Sequence, residues 1–67
     1  MNVIVNGTPT HFADGTSVEE AVRESGASRE RGTAAALNGE VVPRSAWRET
    51  PLAEGDRLEV LVAIGGG

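Results

Sequence analysis

The chain has 67 residues, of which 39% are hydrophobic, with one Phe, one Trp and no cysteine. That length bounds it to one small domain with a thin aliphatic core and little room for an internal ligand pocket, and the missing cysteine excludes disulfides, zinc thiolates and a cysteine nucleophile. Ten acids against six basic residues give a net charge of -4; the arginines are scattered, so neither a nucleic-acid nor an anionic-membrane partner is expected, and a partner with a basic surface suits the chain better.

Val3 and Val5 alternate with Asn2, Ile4 and Asn6, the period of a half-buried strand, and Asn6-Gly7 is a two-residue hairpin signal. Residues 8–13 are the expected return strand, and Pro9 places it at a sheet edge, because proline cannot donate to a central ladder. Asp14-Gly15 turns the chain. Thr16-Ser17-Val18-Glu19-Glu20 then holds two overlapping capping boxes, Thr16 with Glu19 or Ser17 with Glu20, which start a helix. Val18, Ala21, Val22 and Ser25 form its narrow inner stripe, Glu19, Glu20, Arg23 and Glu24 its solvated face, and Gly26 its end.

Residues 27–33 are polar and lack periodicity, which predicts a loop. Residues 34–37 predict a short strand, Asn38-Gly39 a second hairpin turn, and Glu40-Val41-Val42 the return strand that Pro43 stops. Residues 44–50 suit one helical turn that lays Trp47 over the core, followed by Leu52. After the turn-like Glu54-Gly55-Asp56, residues 58–64 form the most apolar and β-branched run of the chain, and Gly65-Gly66-Gly67 follow it. Glycines have no side chains to pack and lose much entropy on ordering, so a mobile tail is expected there.

Strand, strand, helix, strand, short strand, strand is an α+β order. With the first and last strands side by side in the centre of a mixed four- to five-stranded sheet, and one main helix on one face, it makes a β-grasp or ubiquitin-like roll. The expected organisation is a single domain over 1–64 and a glycine tail over 65–67. Strand alternation sends Val3, Val5, Leu58, Val60, Val62 and Ile64 toward the helix and Ile4, Leu61 and Ala63 to the opposite, uncovered face, a candidate partner-docking patch.

No catalytic constellation can be assembled from this composition. His11 is the one histidine, so no metal site is expected and an exposed strand position is its expected role. The chain has no phosphate-binding glycine loop leading into a helix and no plausible carboxylate dyad. Asn6-Gly7-Thr8 matches a glycosylation sequon, but the first residues carry no secretion signal, and no run of roughly eighteen apolar residues occurs, so a cytoplasmic location is expected. All the basic residues are arginine; the absence of lysine is what a high-GC genome produces, and it leaves no side-chain amine to accept an isopeptide bond.

The segment Ala36-Leu37-Asn38-Gly39-Glu40-Val41-Val42-Pro43-Arg44-Ser45-Ala46-Trp47 resembles the signature of the ThiS family, sulfur carriers of thiamine biosynthesis. Val5-Asn6-Gly7, the helix start at 16–20, the approach Leu52-Ala53-Glu54-Gly55-Asp56-Arg57 and the glycine end are similar to that family in order and spacing over essentially the whole chain. Ala35 stands where the family often has valine, and Gly65 adds a third glycine to its diglycine end. The resemblance implies a carrier and co-substrate, not an enzyme. Gly67 would be the adenylate and thiocarboxylate site, with Gly65 and Gly66 letting the tail thread partner active sites. Nothing follows Gly67, so no proteolytic maturation is expected if this is the native end.

The implied partners are an E1-like adenylating enzyme, a sulfur-donating desulfurase system and thiazole synthase. No cofactor would be held by the chain itself; ATP and a persulfide sulfur donor would act through the partner enzyme. The isolated chain is expected to be monomeric. Two other classes fit the same residues: a sulfur carrier for molybdopterin or another product, or a ubiquitin-like protein modifier; and a plain β-grasp interaction module whose tail does nothing.

Overall fold

The structure, a computed structural model, describes residues 1–25 and 32–62. Five strands, β1 (Asn2–Val5), β2 (Thr8–His11), β3 (Thr33–Leu37), β4 (Glu40–Val42) and β5 (Arg57–Val62), form one sheet in the order β2-β1-β5-β3-β4. The last strand is therefore central. It runs parallel to β1 and antiparallel to β3, and the whole chain between β1 and β5, with the helix α1 (Val18–Glu24) lying between β2 and β3, makes the long connection that a parallel neighbour requires. This is the α+β β-grasp arrangement expected from the element order.

Both Asn-Gly pairs make tight turns with two positive φ angles, 49° and 83° at Asn6-Gly7 and 51° and 86° at Asn38-Gly39. That geometry matches the twist of the flanking strands, and asparagine and glycine tolerate it best. The turns fix the registers Val5 opposite Thr8 and Leu37 opposite Glu40. Pro9 lies on the edge strand, as its missing donor demands.

Of the two possible capping boxes, the Ser17 pair forms. The Glu20 amide donates to Ser17 Oγ at 3.2 Å, and the Ser17 amide donates to Glu20 Oε1 at 3.0 Å. Thr16 is turned away, its hydroxyl donating to the Ala13 carbonyl at 2.6 Å. The amides of Val18 and Leu52 donate to the carbonyls of Thr50 and Thr16, at 2.8 and 2.9 Å, so the helix start is stitched to the chain segment before β5.

Val18, Ala21 and Val22 face inward and join Val3, Ala35, Leu58 and Val60 from the sheet in one buried cluster. Trp47, from a 3-10 helix over Arg44–Glu49, closes that core. It is 1% exposed, and its indole N–H donates to the Val42 carbonyl at 2.8 Å, so burial leaves no polar atom unpaired. The Arg44 guanidinium lies 5.5 Å from the ring centroid, a cation–π distance.

Some expectations are corrected. Val62 has the parity of Leu58 and Val60 but is 50% exposed, because inward parity buries a side chain only where a second layer lies over it; the buried residues of α1 end at Val22. Ser25 caps the helix and is exposed, its hydroxyl donating to the Val22 carbonyl, which competes better than an apolar stripe for a small polar side chain. Thr33 belongs to β3 and not to the loop, since it pairs with Val62 and is buried. The return strand also stops at His11, short of Ala13. Ile64 and the helix-ending Gly26 lie outside the described residues.

Candidate functional site

The sheet has one face packed against α1 and the Trp47 segment, and another on which no described element is packed. On that second face Ile4 is 37% exposed and Leu61 69% exposed, as the alternation predicts. Cross-strand register extends the patch. Ala34 lies opposite Leu61, and Ala36 lies opposite both Glu59 and Val41. Partners in register project to the same side of a sheet. Val41, 76% exposed, therefore belongs to the same surface, with the small side chains of Ala34 and Ala36 between it and β5.

The signal for Val41 lies in the hairpin itself. A two-residue Asn-Gly turn fixes the register, and counting outward from Leu37 and Glu40 pairs Val41 with Ala36. Charge enters the patch through Arg57 and Glu59, which have the same parity as Leu61 on β5. An open depression lies beside them, lined by residues that include Ile4, Gly7, Gly39, Arg57 and Glu59. It joins two turn tips to the apolar surface. A broad face of this kind suits a protein partner more than a small enclosed ligand.

Ala63, Gly65, Gly66 and Gly67 lie outside the described residues. They follow directly on Val62, where the central strand carries the chain beyond the end of β1: β1 pairs with β5 only at Ile4 and Val5, whereas β3 pairs with it as far as Val62. The start of β5 therefore has strand neighbours on both sides, whereas its outgoing end is paired with β3.

His11 is exposed on β2, with Nδ1 3.3 Å from Asn2 Oδ1 across the ladder. Among the described residues no group of three or more His, Cys, Asp or Glu side chains could hold a metal ion, and no helix is long and apolar enough to cross a membrane. The Glu20 carboxyl is held below its ordinary titration range, chiefly by the hydrogen bond from the Ser17 amide and then by that from the Ser17 hydroxyl. It serves the helix start and has no place on the uncovered face.

The ThiS family model matches residues 3–67. The chain is similar over its whole length, at 30% identity, to the whole of the sulfur carrier protein ThiS of Escherichia coli. It is 34% identical to part of a thiazole synthase from Paramagnetospirillum magneticum, of whose length it spans about a fifth (20%). Its fold matches the crystal structure of the thiamine biosynthesis protein ThiS from Geobacter metallireducens with a TM-score of 0.81 and 35% identity, both chains being covered entirely. The solution structure of a thiamine biosynthesis protein from the same organism gives a TM-score of 0.79 at 37% identity, over all of this chain and 88% of that one.

Proposed function

This chain belongs to the ThiS family of thiamine-biosynthesis sulfur carriers, and from that premise we propose that Gly67 is the group on which it carries sulfur. The observation that carries the reading is the extent of the family match, which runs from Val3 through the glycines to Gly67 itself. A carboxylate is ionised at neutral pH and is a poor electrophile, so it must first be activated. A carboxylate oxygen attacks the α-phosphorus of ATP on an E1-like enzyme, and pyrophosphate leaves. The terminal sulfur of a persulfide then attacks the acyl carbon, and AMP leaves. A thiol reductant cleaves the resulting acyl disulfide and frees the thiocarboxylate.

The chain's own part in this is to dock and to present. Gly65 and Gly66 lack a Cβ, so the tail can pass close to a partner's backbone and nucleotide. The uncovered face with Ile4, Leu61 and Val41 supplies the docking surface. The chain is then the substrate of its partners and catalyses nothing itself, and it works in the cytoplasm. A desulfurase system supplies the persulfide. Thiazole synthase receives the sulfur, a reading supported by the similarity of this chain to a segment of a protein bearing that name.

The test is direct. Incubated with an active E1-like enzyme, ATP and a persulfide donor, the chain gains the mass of one oxygen-to-sulfur exchange, located at Gly67 by fragmentation. No mass change with an enzyme shown to be active on its own carrier rejects the reading. Recovery of the chain joined to target lysines would instead make it a protein modifier.

A further inference from the structure

The two Asn-Gly turns do different work at the central strand. Asn38 holds the start of β5: its amide donates to the Arg57 carbonyl at 2.8 Å, its Oδ1 accepts from the Arg57 amide at 2.9 Å, and its Nδ2 donates to Asp56 Oδ1 at 3.0 Å. Asn6 holds a later point. Its main-chain amide donates to the Leu58 carbonyl at 2.9 Å, its Oδ1 accepts from the Val60 amide at 2.8 Å, and its Nδ2 donates to the Val60 carbonyl at 3.1 Å.

In a regular parallel ladder the amide and carbonyl of one residue bond to groups two residues apart on the neighbour. Here the Ile4 amide takes the Asp56 carbonyl and the Asn6 amide takes the Leu58 carbonyl. Had β1 continued, the Asn6 carbonyl would accept from Val60 and the amide two residues later would donate to Val60. The chain turns back at Asn6 instead, with φ of 49°. The carboxamide, which carries the same C=O and N–H groups as a peptide, occupies both vacated roles. The ladder is thereby extended by one step after its strand has ended.

We infer that Asn6 is a positioning residue for the sulfur-transfer reaction: its carboxamide fixes β5 at Val60 on the side where β1 has ended, and so sets the direction in which the chain continues toward Gly67. Without it, the outgoing part of β5 is held through its ladder with β3 alone. The inference rests on the carrier reading for its functional half and on the hydrogen bonds for its structural half. Its consequence for the reaction is orientation: a misdirected tail still docks through the uncovered face but brings its carboxylate to the nucleotide less often in a reactive pose.

The experiment compares Asn6→Gly with Asn38→Gly. Glycine accepts the same turn conformation, so each variant loses a carboxamide and keeps its hairpin. In Asn6→Gly the Val60 amide exchanges with deuterium at least about tenfold faster than in the unaltered chain, while amides of β2 and α1 keep their rates. With the E1-like enzyme, kcat for adenylation falls about tenfold and KM stays within about twofold, the pattern of a lost reactive pose and not of lost docking. Asn38→Gly keeps the unaltered kcat.

Equal losses of kcat in the two variants would overturn the inference, since they would reflect general loosening of the sheet. Unchanged exchange at Val60 in Asn6→Gly would overturn it as well. If the unaltered chain is not adenylated at all, the carrier reading fails, and with it the assignment to that reaction; the exchange comparison still decides whether Asn6 anchors the strand.

Discussion

Leu58 and Leu61 stand three positions apart on the same central strand, and they live in opposite environments. Leu58 is 0% exposed and Leu61 69% exposed. Hydrophobicity does not separate them. Strand parity sends them to opposite faces, and only the face of Leu58 is covered by α1 and Trp47. Val62 completes the lesson, since it shares the parity of Leu58 and is still half exposed. Parity selects a face, and a second layer decides whether that face is a core. One side of β5 therefore stabilises the domain, while the other leaves apolar surface available to a partner.

The largest expected effect comes from breaking the covered side. Leu58→Ala removes a fully buried side chain from the centre of a thin core, at a cost of about 2–5 kcal/mol. At roughly 0.05–0.15 kcal/mol per residue, the whole domain has about 3–10 kcal/mol to lose. The variant is expected to unfold at a far lower urea concentration, or to be unfolded without urea, as read by circular dichroism. A loss below about 1 kcal/mol would mean that the core can collapse around the gap.

What the amino-acid sequence reveals follows the same division. Local signals are legible: both Asn-Gly turns, the edge position of Pro9, the inward placing of Trp47 and a capping box at the helix start follow from residues close in sequence, although the choice of Ser17–Glu20 over Thr16–Glu19 does not. The alternation that exposes Ile4 and Leu61 is legible too. What is not legible depends on distant elements. The exposure of Val62 is set by where α1 stops covering the sheet, and the inclusion of Thr33 in β3 by its pairing with Val62. The reach of Asn6 to Val60 spans 54 positions; nothing in Asn-Gly itself separates an asparagine that merely turns from one that also splices a ladder.

Breaking the uncovered side is expected to do the reverse of Leu58→Ala. Leu61→Asp places a charge where the side chain is mostly in water, opposite the small Ala34, so unfolding stability changes by less than about 1 kcal/mol. Affinity for the E1-like enzyme falls by about tenfold or more, because a carboxylate cannot be desolvated against an apolar partner surface without loss. Calorimetric titration of the two chains reads the affinity, and urea unfolding reads the fold. Unchanged affinity would remove Leu61 from the docking surface. Outright unfolding would mean that the face is not free.

The smallest effect belongs to Glu20, on the exposed rim of the layer that covers Leu58. The hydrogen bond from the Ser17 amide, and then that from its hydroxyl, hold the Glu20 carboxyl below its ordinary value of 4.5. The folded chain therefore binds this proton less readily than the unfolded chain. The resulting stabilisation is fully present above the unfolded value, and it is lost as pH falls through the lowered folded value. Glu20→Gln keeps a side-chain acceptor for the capping box but removes the titration. Between neutral pH and the unfolded value the parent is expected to be slightly the more stable chain, and the gap in urea midpoint should close as the solution is acidified below that value. A gap that stayed constant with pH would assign the benefit of Glu20 to shape and not to charge, leaving the cap outside the electrostatics of the covered face.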